Sequence, residues 1–331
     1  MKVLFTSNSN ILFIKKAIAF FIAICLIALL YIKLSPKVLV KVYGPTTEQI
    51  ISKSFENALN TDYKCIVVGS SKLFRGLNPD KIRSIKTYNF SHDNDTYNQF
   101  YYKLKFLKDH GKVNFDYIIV GVSYFSFCFI SDTRNYLYYN YFDEEYRNDY
   151  KGLLENKNPF FYFKTIDKKL SQLFTLKISN TFRPTLYALS QTLQKKKQKC
   201  SYVKGNGQYI LLPVTKASNK DKASMGSTIT SNDILPIQKK YFLKILDFAK
   251  TNNKKVILLF APARKEEIAM TKAKVKTEIN NLIKENVNNN SIFFIDFSQN
   301  KEFTMNDFTD ITHLNPLAAD RFSRMVEGKI K

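Results

Sequence analysis

Tryptophan is absent from the 331 residues, histidine occurs three times and cysteine four times. With only His92, His110 and His313 available, a histidine-rich metal site is excluded, and any chemistry that needs an imidazole must use one of these three. Cys25, Cys65, Cys128 and Cys200 show no CxxC spacing, so neither a zinc site nor a disulfide framework is indicated, and a single pairing among the last three is not assignable from sequence. No metal or cofactor is expected. Acidic residues are also scarce, 28 against 51 Lys and Arg, for a net charge of +23. Such a chain is drawn to polyanions: nucleic acids, anionic lipid heads or acidic wall polymers. General abundance of Lys and Asn accounts for the charge equally simply. No zinc-finger, RNP or helix-turn-helix signature is present, so no nucleic-acid partner is expected. Phe and Tyr make up the whole aromatic content of 15%, ample material for a core.

Residues 17–32 read AIAFFIAICLIALLYI, without charge. A bilayer core takes roughly 20 apolar residues, and snorkelling lysines at both ends extend a slightly short run. Residues 1–36 are therefore expected to be a transmembrane anchor. A cleaved leader is the alternative, but no small-residue A-x-A site follows; the next residues are Lys33-Leu34-Ser35-Pro36. Lys2, Lys15 and Lys16 precede the run and Lys33, Lys37 and Lys41 follow it, so flanking charge does not orient it. The usual habit of single N-terminal anchors places the amino terminus inside and residues 37–331 on the extracytoplasmic side of the cytoplasmic membrane.

Four short apolar runs suit strands buried on both faces of a parallel sheet: Cys65–Val68, Tyr117–Val120, Lys255–Phe260 and Ser291–Asp296. The more polar Lys86–Phe90 is read as a fifth strand near an edge. Helical patterns lie between them. Asp95–His110 carries apolar residues at three and four and is closed by Gly111. Pro236–Asn252 and Lys265–Asn286 each lead into a strand. Pro316–Lys329 closes the chain, with Asn315 as N-cap. This alternation predicts an α/β fold with a doubly wound, mainly parallel sheet. The alternation breaks at about 123–235, a stretch that is Tyr-rich early and Lys-rich later. It is read as an inserted cap over one end of the sheet, with a mobile polar loop near 215–232.

Two motifs can carry chemistry. In Val67-Val68-Gly69-Ser70-Ser71-Lys72 a buried strand ends at glycine and serines follow at once. Active sites of open α/β sheets lie beyond the carboxyl ends of the strands, and a serine there precedes a turn whose free N–H groups can hold an oxyanion. A strand-to-helix turn with a serine cap is the plainer reading of the same residues. In Asp310-Ile311-Thr312-His313-Leu314-Asn315 a carboxylate and an imidazole three residues apart can meet across one turn, leaving Nε2 free as a general base. His110 ends a helix, where a cation suits the dipole. His92 lies at the mouth of the sheet, facing the site or sitting in an ordinary loop.

Gly69-Ser70-Ser71, Tyr88–Ser91, Ile118–Val122 and Asp310–Asn315 resemble the ordered blocks of the SGNH/GDSL hydrolase superfamily, over roughly residues 60–330. The nearest flavour is the membrane-anchored SGNH-like proteins of bacterial envelope polymer O-acylation, of the teichoic-acid D-alanylation and alginate-acetylation type. The resemblance implies a flavodoxin-like sheet and selects Ser71 over Ser70 as nucleophile, with Asp310 and His313 completing the triad. It implies a serine O-acyltransferase or esterase acting on an envelope polysaccharide or acylated polymer, with a multi-pass membrane acyl-donor partner. Two departures stand out. Ser91-His92-Asp93-Asn94 lacks the second-block glycine, and Gly121-Val122-Ser123-Tyr124 lacks the third-block asparagine. The Ser71 N–H and a donor from the Ser91, His92, Asn94 loop are left as the oxyanion and substrate contacts. The alternative function is a non-catalytic envelope protein that binds an anionic glycan in the same groove.

Overall fold

The computed structural model describes residues 13–24, 26–27, 45–130, 135–154, 201–210, 233–288 and 290–330. The chain divides into two units, one of residues 1–44 and 172–200 and one of residues 45–171 and 201–331. In the first, residues 13–24 and 26–27 are helical and their side chains are exposed. Of the expected anchor, residues 1–12, 25 and 28–36 lie outside the described residues. Among those described, no helix is long and apolar enough to cross a membrane.

The second unit is built on five strands, β1 (Cys65–Val68), β2 (Thr87–Asn89), β3 (Tyr117–Val122), β6 (Lys255–Phe260) and β7 (Ile292–Asp296). They form one sheet in the order β2-β1-β3-β6-β7, and every neighbouring pair is parallel. The order reverses between β1 and β3, the place where doubly wound sheets open a crevice at their carboxyl ends. Val67, for example, sits beside Asn89 on one side and Ile119 on the other.

Side chains along the central strands alternate between two cores. Ile66, Val68, Ile118, Val120, Val256 and Leu258 enter the larger one; Cys65, Val67, Ile119, Ile257 and Leu259 enter the smaller. A period of two with both faces apolar is what makes the runs read as continuous. Helices α1 (Thr47–Asn60), α3 (Tyr97–Asp109), α6 (Pro236–Thr251) and α8 (Ala273–Asn286) cover the first face, and α2 (Ser71–Gly76) and α9 (Pro316–Ile330) the second. Cys65 and Cys128 are buried free thiols.

The edge placement of the polar strand is as the sequence suggests, but its regular part is only Thr87–Asn89. Helix α1, missed by the sequence reading, carries a capping box between Thr46 and Gln49. The expected helix Lys265–Asn286 is two helices, α7 (Lys265–Met270) and α8. They are separated where Thr271 turns extended and its N–H caps Ile268 O; no Gly or Pro marks that break. The expected insertion begins with α4 (Tyr124–Cys128) and includes α5 (Glu144–Leu154). Its Tyr138, Tyr139, Phe142 and Tyr146 are buried in the larger core with Phe55 and Tyr102, so this aromatic stretch is core material. The polar loop near 215–232 lies outside the described residues.

Further along, β4 (Tyr202–Val203) and β5 (Tyr209–Ile210) form an antiparallel hairpin. Its tip closes the edge of β2, because the Asn89 N–H donates to Asn206 O at 2.9 Å. Gly207 there has φ +89, and a Cβ would stand 1.9 Å from Asn89 O, so only glycine fits.

Candidate active site

Ser71 owes its position to the way β1 ends. After Val68 the chain passes through Gly69, and Ser70 in extended backbone begins α2, so Ser71 is the first helical residue. A Cβ on Gly69 would meet Leu73 Cδ1 at 2.9 Å, and one on Gly121 of β3 would meet the same atom at 2.9 Å. The two glycines therefore let α2 descend onto β1 and β3. The N–H groups of Leu73 and Phe74 are taken by Ser70 O; those of Ser71 and Lys72 begin the helix, where no intrahelical acceptor exists.

The partner loop is held separately. Phe308 pairs with Leu314 in an antiparallel bridge, and the Thr309 N–H donates to His313 O at 2.8 Å. Phe308, Ile311 and Leu314 are buried beneath it. Asn315 caps α9 by accepting the Ala318 N–H at 2.9 Å. Helix α9 then docks beside α2: the Asn78 N–H donates to Ser323 Oγ at 2.7 Å, and Asn78 Nδ2 donates to Asp320 at 2.6 Å.

This packing brings Ser71, His313 and Asp310 together. Ser71 Oγ lies 2.7 Å from His313 Nε2, and His313 Nδ1 lies 2.7 Å from Asp310 Oδ2. Ser70 is buried at 6% exposure. It is Ser71 whose hydroxyl reaches the imidazole. The other Asp310 oxygen, Oδ1, accepts the N–H groups of Thr312 (2.8 Å) and His313 (2.9 Å) and the Thr312 hydroxyl (3.2 Å). Burial alone would raise the Asp310 pKa, but the hydrogen bond and charge of His313 and these N–H groups outweigh it and hold the carboxyl well below the usual range. An ionised Asp310 fixes the proton on His313 Nδ1 and leaves Nε2 to accept from Ser71 Oγ–H. The arrangement can activate a hydroxyl nucleophile.

The other expected contacts are placed differently. The Ser91 N–H donates to Asn89 Oδ1 at 3.2 Å and the His92 N–H to Gly69 O at 3.2 Å, so neither backbone donor is left to face a substrate. Ser91 is fully buried, and its Oγ has no hydrogen-bond partner among the described residues. His92 is 2% exposed and edge-on to Phe74. Its Nδ1 receives Lys103 Nζ at 3.0 Å. An ammonium can only donate, so that nitrogen is the acceptor and the neutral ring carries its proton on Nε2. Lys103 is itself buried, with Asp95 Oδ2 at 2.5 Å and Phe90 O at 2.6 Å. Burial lowers its pKa, against the opposing pull of Asp95. His92 therefore belongs to a buried polar network. Asn94 is half-buried with φ +63, the left-handed region asparagine tolerates, and turns the loop that follows β2. His110 accepts its helix-end role, its Nδ1 2.8 Å from Phe106 O.

Sequence reasoning missed three charged groups around the site. Arg75 grips Asp93 with two bonds, Nε–Oδ1 3.1 Å and Nη2–Oδ2 2.7 Å, and stacks beside Tyr209 of the hairpin. Lys72 meets Glu267 of α7 at 2.5 Å, both largely buried. Arg264 is buried just before α7. No spacing rule links such distant residues. Among the described residues, no group of three or more His, Cys, Asp or Glu is placed to hold a metal ion.

The molecule is thus a parallel α/β sheet with a Ser-His-Asp constellation at its carboxyl rim. The chain belongs to the family described as "Protein of unknown function (DUF1574)", whose profile matches residues 33–325. Among solved structures it is similar to the crystal structure of a "putative acylhydrolase" from Bacteroides fragilis NCTC 9343, at 12% identity and a TM-score of 0.38, covering 86% of this chain and 98% of that one. No curated protein matches.

Proposed function

We propose that this protein is a serine-dependent acyl-transfer enzyme of SGNH type, an O-acyltransferase or esterase, with Ser71 as nucleophile, His313 as general base and then acid, and Asp310 as the group that orients His313. The observation that carries this reading is the continuous hydrogen-bonded line from Ser71 Oγ through His313 to Asp310, both contacts at 2.7 Å. Ser71 Oγ attacks the acyl carbon as its proton passes to Nε2. The same proton then goes to the leaving oxygen, and water or an acceptor hydroxyl releases the acyl group by the reverse sequence. The Ser71 N–H at the first turn of α2, with the loop that Asn94 turns, is the proposed oxyanion contact. With two donors lost to Asn89 and Gly69, that hole is sparse, and each missing donor costs about 10²–10³ in rate. A slow enzyme is expected.

The proposed substrate is a cell-envelope polysaccharide or acylated polymer, with a multi-pass membrane acyl-donor partner. The proposed location is the extracytoplasmic face of the cytoplasmic membrane, anchored through residues 1–36. The uncharged run 17–32 and the net charge of +23 support it. The test is labelling by a fluorophosphonate probe: the wild-type chain reacts at Ser71 and Ser71→Ala does not, with unchanged melting temperature. Equal labelling of both proteins would sink the assignment.

A further inference from the structure

Two neighbouring strands end beside this site without a role in it. Chain leaving β6 runs through Ala261-Pro262-Ala263 to Arg264, and chain leaving β7 runs through Phe297 and Ser298 to Lys301. Between them lies a cavity of about 610 Å³, walled by Arg264, Lys265, Ser298, Asn300, Lys301 and Phe308 among others. We infer that this cavity is a subsite for an anionic oxygen group, a carboxylate or a phosphate carried by the substrate of Ser71, with the Arg264 guanidinium as its anchor. The assignment to that substrate rests on the serine reading above; the anion site itself does not.

Arg264 is only 5% exposed. Its Nε donates to Glu266 Oε2 at 3.2 Å, yet Nη1 and Nη2 are shielded from water and have no hydrogen-bond partner among the described residues. Buried polar groups are nearly always satisfied, and a guanidinium, which only donates, cannot satisfy itself. A two-oxygen anion matches the unpartnered Nη pair in both charge and geometry, and binding it requires the side chain to turn that pair from its shielded place into the cavity Arg264 lines. The charges along the same wall agree. Lys265 and Lys301 are exposed there, whereas Glu266 also lines the cavity but is engaged on the opposite, Nε edge of Arg264.

Position connects the cavity to the nucleophile. It lies at the carboxyl ends of β6 and β7, on the rim where parallel sheets bind ligands. Its wall residue Phe308 is part of the loop that holds Asp310 and His313. The Lys72–Glu267 contact ties α7, which follows Arg264, to the residue next to Ser71.

The test uses the full chain carrying Ser71→Ala, so that nothing turns over. Inorganic phosphate and sodium acetate are titrated separately, against sodium chloride of equal ionic strength, and melting temperature is followed. At least one of the two anions is expected to stabilise the protein beyond chloride, and which one it is assigns the anion as phosphate or carboxylate. Adding Arg264→Gln is expected to weaken that binding by about tenfold or more, as loss of a charged hydrogen bond does. Adding Lys301→Glu, at an exposed position, is expected to weaken it without touching the core. A response no larger than that to chloride, or equal binding with and without Arg264→Gln and Lys301→Glu, overturns the proposal. In the protein with Ser71 intact, Arg264→Gln is expected to lower the kcat/KM ratio of 4-nitrophenyl hemisuccinate over 4-nitrophenyl acetate if carboxylate is the anion. If neither ester is turned over but the anion still binds through Arg264, the serine reading fails and the subsite stands. If esters are turned over while anion binding ignores Arg264, the subsite fails and the serine reading stands.

Discussion

Replacing Asp310 by Asn changes one oxygen for one NH2 group, and the structure dictates which way that amide must face. Three donors converge on Asp310 Oδ1: two backbone N–H groups at 2.8 and 2.9 Å and the Thr312 hydroxyl at 3.2 Å. An NH2 group turned toward them would set donor against donor, so the asparagine oxygen keeps that position. The NH2 then faces His313 Nδ1 at the 2.7 Å contact now made by Oδ2. A donor there makes Nδ1 an acceptor and moves the ring proton to Nε2, the nitrogen that must receive the Ser71 proton. The general base is lost through its tautomer, with every atom nearly in place. The cost in a triad of this kind is about 10⁴ in rate, roughly 5.5 kcal/mol of transition-state stabilisation. The assay is the second-order rate of fluorophosphonate labelling, backed by 4-nitrophenyl acetate hydrolysis, with the melting temperature as a control on the loop. Asp310→Asn is expected to react about 10⁴-fold more slowly while the three hydrogen bonds to its oxygen keep the loop folded. Labelling within about tenfold of wild type would show that Asp310 does not govern the proton on His313, and the triad reasoning would fall.

Two other outcomes follow from charges near the site. Lys72→Met alone leaves Glu267 buried without its cation and is expected to cost about 3–5 kcal/mol in chemical denaturation, whereas Lys72→Met with Glu267→Leu is expected to recover most of it; equal losses in single and double variants would argue against a coupled pair. The depressed Asp310 carboxyl stabilises the fold at all pH values above its unfolded pKa of about 3.9. That contribution is lost as pH falls below this value toward the lower folded pKa. The stability difference between wild type and Asp310→Asn, followed by thermal unfolding from pH 7 to pH 2, is therefore expected to shrink below about pH 4. A difference that persists unchanged to pH 2 would contradict the hydrogen bonding described for Oδ1 and Oδ2.

Much of the fold was legible in the chain because its signals are local. Cys65–Val68, Tyr117–Val120 and Lys255–Phe260 are continuous apolar runs because each strand must supply side chains to a core on both faces, and a run of four to six residues shows that without reference to any neighbour. Asp310 and His313 were legible for the same reason: three residues apart, they need only a turn to meet. Less legible was whatever depends on how segments dock. The Tyr-rich stretch at 137–146 reads as surface cap by its break in pattern, yet its rings are buried against Phe55 and Tyr102, partners more than thirty residues away. The split between α7 and α8 leaves no Gly or Pro to betray it.

Ser71 shows the boundary most clearly. Sequence alone could name a serine after a strand and a histidine beside an aspartate, 242 positions apart. The resemblance chose Ser71 over Ser70, but only the tertiary structure, through two glycines that let α2 approach β1 and β3 and through α9 docking on α2, brings the Ser71 hydroxyl to Nε2. Packing also left the N–H groups of Ser91 and His92 engaged inside and Arg264 buried with its Nη groups unpartnered among the described residues. Local chemistry is written in neighbouring residues; which groups remain to face a ligand is settled only when packing has used up the others.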